Sequence, residues 1–122
     1  MKVQKSIRMI SEDIVEIAFD DNIFLDLEKI MQSFAETEAF TNGRRLKRLV
    51  ISGRNTDITK EARSYGLKEN ERLKDQVIAE ALVVHSFTQK MITNFYLKYI
   101  NKSYPAKAFT DIEKAKEWLN TF

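Results

Sequence analysis

Leu46-Lys47-Arg48-Leu49-Val50-Ile51-Ser52 and Val77-Ile78-Ala79-Glu80-Ala81-Leu82-Val83-Val84 decide the fold. Around Leu49-Val50-Ile51 in the first, and Val77-Ile78 and Leu82-Val83-Val84 in the second, apolar residues run almost without interruption. That is the pattern of strands covered on both faces. Such strands need helices above and below them, and the flanking sequence supplies these.

Between the two stretches, Lys60 to about Lys74 is rich in helix formers, with a weak apolar stripe of Ala62, Tyr65 and Leu73 interrupted by Gly66. Upstream, Ser6 to Ile10 and Ile14 to Phe19 are split by Ser11-Glu12-Asp13, which reads as a hairpin with Val15, Ile17 and Phe19 on one face. Leu27, Ile30, Met31 and Phe34 then recur at helical spacing. Asp26 is placed to accept from first-turn amides, and the helix is expected to end before Asn42-Gly43. Downstream, Ser86-Phe87-Thr88-Gln89 and Thr110-Asp111-Ile112-Glu113 fit the capping box. The first opens a helix to about Ile100 with Met91, Ile92, Phe95, Tyr96 and Tyr99 inward. The second opens a helix that uses Ile112, Ala115, Leu119 and Phe122, after a strand at Ala106 to Phe109. The order β-β-α-β-α-β-α-β-α predicts an α/β fold. Its mixed five-stranded sheet carries an antiparallel N-terminal hairpin and four flanking helices.

At 122 residues, with 35 Leu, Ile, Val and Phe, the chain suits one domain with a core of its own, which excludes intrinsic disorder. The absence of cysteine excludes disulfides and thiolate metal sites. The longest uncharged stretch, Ala81 to Gln89, is too short to span a membrane, and Met1-Lys2-Val3-Gln4-Lys5 does not lead into a secretory signal. A cytoplasmic protein is the expectation. The net charge of +2 conceals a split: residues 1–40 sum to −5 and residues 41–75 to +5.

Few residues suggest chemistry. His85, the single histidine, falls at the carboxyl edge of a central strand, where parallel sheets place ligands, but no second histidine or metal-binding motif accompanies it. Ser52, Thr59, Ser86 and Thr110 stand at strand ends or helix starts, where capping accounts for them. Ser52-Gly53-Arg54-Asn55 is not a phosphate loop. Arg44, Arg45, Lys47 and Arg48 form a basic cluster. In a nearly neutral chain it reads as a solvated strand start rather than a nucleic-acid site. Phe95, Tyr96, Tyr99, Tyr104 and Trp118 read mainly as helix-on-sheet packing, with some left on the surface.

Ile58-Thr59-Lys60-Glu61-Ala62-Arg63, and Pro105 to Leu119 with its F-T-D-x-E-x-A-x-x-W-L pattern, resemble a group of small bacterial STAS-like proteins; the likeness runs over about residues 6–122. The resemblance implies a single STAS-like domain over 1–122, related to anti-sigma-factor antagonists and working by docking rather than catalysis. In phosphorylation-controlled antagonists the acceptor opens the helix after the third strand, and Thr59 is the nearest match. Those proteins carry D-S-[SG]-G, whereas Asp57-Ile58-Thr59-Lys60 has no glycine and a β-branched residue in its middle.

The expectation is therefore a non-catalytic protein-interaction module that presents Thr59, Lys60, Arg63 and Arg72 to a protein partner or to a second copy, a homodimer first. The alternative is a domain that binds an apolar or anionic small molecule near His85, Ser86, Phe95 and Tyr99. No cofactor, nucleic acid or membrane span is expected.

Overall fold

The computed structural model describes residues 5–99 and 103–122. Met1-Lys2-Val3-Gln4 and the expected helix end at Ile100 lie outside the described residues. The hairpin forms from β1 (Lys5–Met9) and β2 (Ile14–Phe19), with Ile7 opposite Ile17 and Met9 opposite Val15. Its turn is held by Ser11, whose Oγ accepts from the Ile14 amide at 3.1 Å. There follow β3 (Phe24–Leu25), α1 (Leu27–Thr41), β4 (Leu46–Ile51), β5 (Asp57–Ile58), α2 (Lys60–Arg72), a 3-10 turn (Lys74–Gln76), β6 (Val77–Val83), α3 (Phe87–Tyr99), β7 (Ala106–Phe109) and α4 (Ile112–Leu119). The main sheet runs β1-β2-β4-β6-β7, antiparallel at β1 and parallel elsewhere, which is the mixed five-stranded α/β architecture expected. Beyond that expectation, β3 and β5 pair in parallel as a small second sheet.

From β2 through β4 and β6 to β7, each strand is added on the same side of the last. Crossovers of one hand then put α1, α2 and α3 on one face, and α4 closes the other. Under α4 the core is dense: Leu49, Ala79, Ala81, Val83 and Phe109 meet Ala115 and Leu119. The two strand alanines let the helix approach closely. On the opposite face Val15, Ile17 and Leu46 pack with Ile7, Met9, Phe19 and Val50.

Helix termini follow the sequence with one change. Asp26 accepts from the Lys29 amide (2.9 Å), and Asn42 ends α1 in the left-handed conformation. The Gln89 amide donates to Ser86 Oγ (3.1 Å), while the Gln89 side chain takes the His85 amide. At α4, however, the cap is Asp111 rather than Thr110: its carboxylate accepts from the amides of Glu113 (2.8 Å) and Lys114 (3.3 Å). A charged acceptor at the positive end of the helix prevails over a neutral hydroxyl.

Helix faces depart more. In α1 the buried side is Ile30, Ser33, Thr37 and Thr41, with Leu27 and Met31 exposed. The buried hydroxyls are satisfied locally: Thr37 Oγ1 donates to the Ser33 carbonyl (2.9 Å) and accepts from Lys5 Nζ (3.1 Å). In α3 most residues expected inward lie outside: Phe95 is 67% exposed, and Met91, Ile92 and Tyr99 are exposed as well, while Tyr96 is half-buried and Leu97 buried. The helix orientation follows a hydrogen-bond need. Asn94 accepts from the Ala108 amide (2.7 Å) and donates to its carbonyl (3.3 Å), satisfying the open edge of β7, and this turns the apolar stripe to solvent. Ile112 and Phe122 are likewise exposed. The basic cluster is not solvated throughout either, because Lys47 and Arg48 are buried. Lys47 reaches Asp13 at 3.0 Å, while Arg44 caps the carbonyls of Phe40 and Thr41.

Candidate functional site

On the face opposite α4, three helices bridge the sheet without filling the space beneath them. α1 and α2 pack on each other, joined by Arg72, which binds Glu38 (2.7 Å) and Glu69 (2.6 Å), and by the edge contact of Phe34 and Tyr65. α3 leans on the β7 edge. Between them lies a partly open cavity of about 660 Å³. Strands contribute its floor: Ile17, Phe19, Arg48, Val50, Glu80 and Leu82. These positions follow from strand alternation, since Leu49, Ala79, Ala81 and Val83 point to α4 and their neighbours must point the other way. The roof is Ile30, Ser33, Phe34 and Thr37 of α1, Ala62, Arg63, Gly66 and Leu67 of α2, and Ile92, Thr93, Tyr96 and Leu97 of α3. Small residues at 33, 62 and 66 keep the roof thin.

The lining is mostly apolar, with charges at two levels. Arg63 is exposed at the rim. Arg48 stands on the floor at 5% exposure, and its register partner on β6 is Glu80. Burial raises the Glu80 carboxyl above the usual carboxylate range, against the opposing pull of Arg48 and of the Tyr104 hydroxyl, which donates to Glu80 at 3.3 Å. Burial also raises the Tyr96 phenol, while Arg63 opposes it. Near the α1 wall, Lys5 Nζ donates to Ser33 and Thr37, and burial is the largest cause that lowers its pKa to about 8.

Of the residues expected to form a docking or ligand site, Arg63 alone lines this cavity, although Ser52, Arg48 and Tyr96, read from sequence as capping, solvated and packing residues, line it too. Thr59 caps α2, accepting from the Ala62 amide at 3.1 Å, and Lys60 lies on the outer surface near Leu27 and Lys68. Arg72 is engaged within the chain by its two glutamates. His85 Nε2 lies 2.6 Å from the Ser52 carbonyl oxygen, and Ser86 caps α3. Phe95 and Tyr99 contact each other on the outer side of α3, so the structure does not bring these four together around a pocket. Arg48 was read as solvated rather than as a cavity residue, and Glu80 was missed. The signal was present: each is a charge inside a stretch otherwise apolar enough for a doubly covered strand, and such a charge faces either a partner or a cavity. Among the described residues, no three His, Cys, Asp or Glu side chains group to hold a metal ion, and no helix is long and apolar enough to cross a membrane.

The sheet order and helix placement are those of a SpoIIAA-like fold. A similar solved structure is that of an uncharacterised protein of the DUF3478 family with a SpoIIAA-like fold from Shewanella loihica PV-4. The two superpose with a TM-score of 0.71 at 19% identity, over 97% of this chain and 94% of that one. At that identity the likeness establishes the fold. The chain belongs to the family described as a domain of unknown function, DUF7793, whose model matches residues 8–122. No curated protein matches it.

Proposed function

We propose that this STAS-type domain binds a small, largely apolar molecule in the cavity beneath α1, α2 and α3, and carries out no chemistry on it. The observation that carries this reading is the cavity itself. Protein interiors are packed to crystal-like density, with few voids larger than a water. An apolar chamber of about 660 Å³ falls within the size range of small-molecule sites. A few polar groups converge on its floor from adjacent strands, which suits orienting a ligand better than transforming one. Native mass spectrometry of the freshly purified protein tests the reading. The expected spectrum shows a mass above 14.3 kDa that falls to the bare chain on denaturation. A bare chain, with no uptake of added octanoate or 1-octanol, contradicts it.

The apolar outer face of α3 favours a second reading, docking to a protein or to another copy. Phe87, Met91, Phe95 and Tyr99 are all exposed along that one helix. A species at twice the chain mass in the same spectrum supports self-association, and its absence at micromolar concentration counts against a stable homodimer.

A further inference from the structure

Among the groups lining the cavity, Arg48 is distinguished by what it lacks. The residue is 5% exposed, and among the described residues its guanidinium makes no hydrogen bond or ion pair. Other cations of the chain are occupied: Lys47 by Asp13, Arg8 by Glu16, Arg72 by Glu38 and Glu69, Arg44 by helix carbonyls. Glu80 is the register partner of Arg48 yet forms no ion pair with it, and accepts instead from Tyr104. Glu80 and Glu38 attract Arg48 through space without a hydrogen bond to it, so its guanidinium donors are open to the cavity, and a ligand that takes them stabilises the fold. The planar guanidinium fork matches a carboxylate through two parallel hydrogen bonds.

Resting on the reading of the cavity as a ligand chamber, we infer that Arg48 anchors the carboxylate of an amphipathic monocarboxylic acid whose apolar chain runs along Ile17, Val50, Leu82 and Leu67. Glu80 beside the anchor selects a single negative charge over a doubly charged phosphate monoester. The chamber has room for on the order of twenty water-sized groups, ample for an eight- to ten-carbon acid.

Calorimetric titration with octanoate and with 1-octanol, at one pH near neutrality, separates this inference from the reading beneath it. The wild-type protein is expected to bind octanoate about tenfold or more tightly than 1-octanol. Arg48→Met is expected to bind the two alike. Should Arg48→Met fail to fold, Arg48→Lys serves: it keeps a charge but not the fork, and the preference should shrink. Equal binding of both probes to the wild type overturns the anchor and leaves the chamber standing. A preference that survives Arg48→Met and disappears in Arg63→Met places the head group at the rim and also overturns it. Binding of neither probe overturns the chamber and the anchor together.

Discussion

Gly53 stands where the chain leaves β4, and a Cβ placed on it would lie 2.0 Å from the carbonyl oxygen of Asp20. Backbone passes backbone there, as the Asn22 amide donates to the Arg54 carbonyl (2.8 Å) and the Arg54 amide to Asp21 (2.6 Å). The glycine that belongs to no phosphate loop is needed for this approach. Gly53→Ala should lower unfolding free energy by roughly 2–3 kcal/mol, the upper part of the range for forced overpacking, as read by urea denaturation. A change below about 0.5 kcal/mol would show that the two segments separate freely. Lys5 carries a pH dependence. Its pKa is about 8 in the fold against 10.5 ordinarily, so between those values the unfolded chain holds more protons and stability rises with pH. Below about pH 8 the full penalty of burying the ammonium is present. The wild-type urea midpoint should therefore climb relative to Lys5→Met from pH 8 to pH 10; a constant difference would contradict the burial of this group.

At the scale of elements, α3 is the most informative. Its periodicity predicts an inward stripe of Met91, Ile92, Phe95, Tyr96 and Tyr99, and the structure turns most of that stripe outward so that Asn94 can serve the β7 edge. Phe95→Ser should then alter stability by no more than about 0.5 kcal/mol. Leu97→Ala should cost about 2–3 kcal/mol, the lower part of the range for truncating a buried leucine. The reverse order in denaturant titrations would mean that the helix is rotated as its periodicity suggests. The contrast marks what an amphipathic pattern can tell. Periodicity and capping residues place a helix, as Asp26, Ser86 and Thr59 do for α1, α3 and α2. Which face turns inward depends on the partner's needs, here an open strand edge that no local pattern encodes.

For the whole molecule, the order of elements and the mixed sheet with its antiparallel hairpin edge were legible, because apolar strands alternate with helical stretches and such units join by crossovers of one hand. The closing pattern around Trp118 carried the family likeness, and the SpoIIAA-like fold of the Shewanella loihica protein agrees with it. The cavity was not legible. It arises from three helices spanning the sheet at a distance, and its floor residues look in sequence like ordinary strand positions, apart from Arg48 and Glu80. The aromatic cluster pointed to it only through Tyr96, since Phe95 and Tyr99 do not line it. Whether that space receives a molecule decides the function. Methyl-resolved NMR of the isotope-labelled protein, titrated with octanoate or 1-octanol, reads this directly. Expected are shifts at Ile17, Val50, Leu67 and Leu82, with Leu49, Val83 and Leu119 on the opposite face unmoved; shifts confined to the outer side of α3, or none at all, would contradict it.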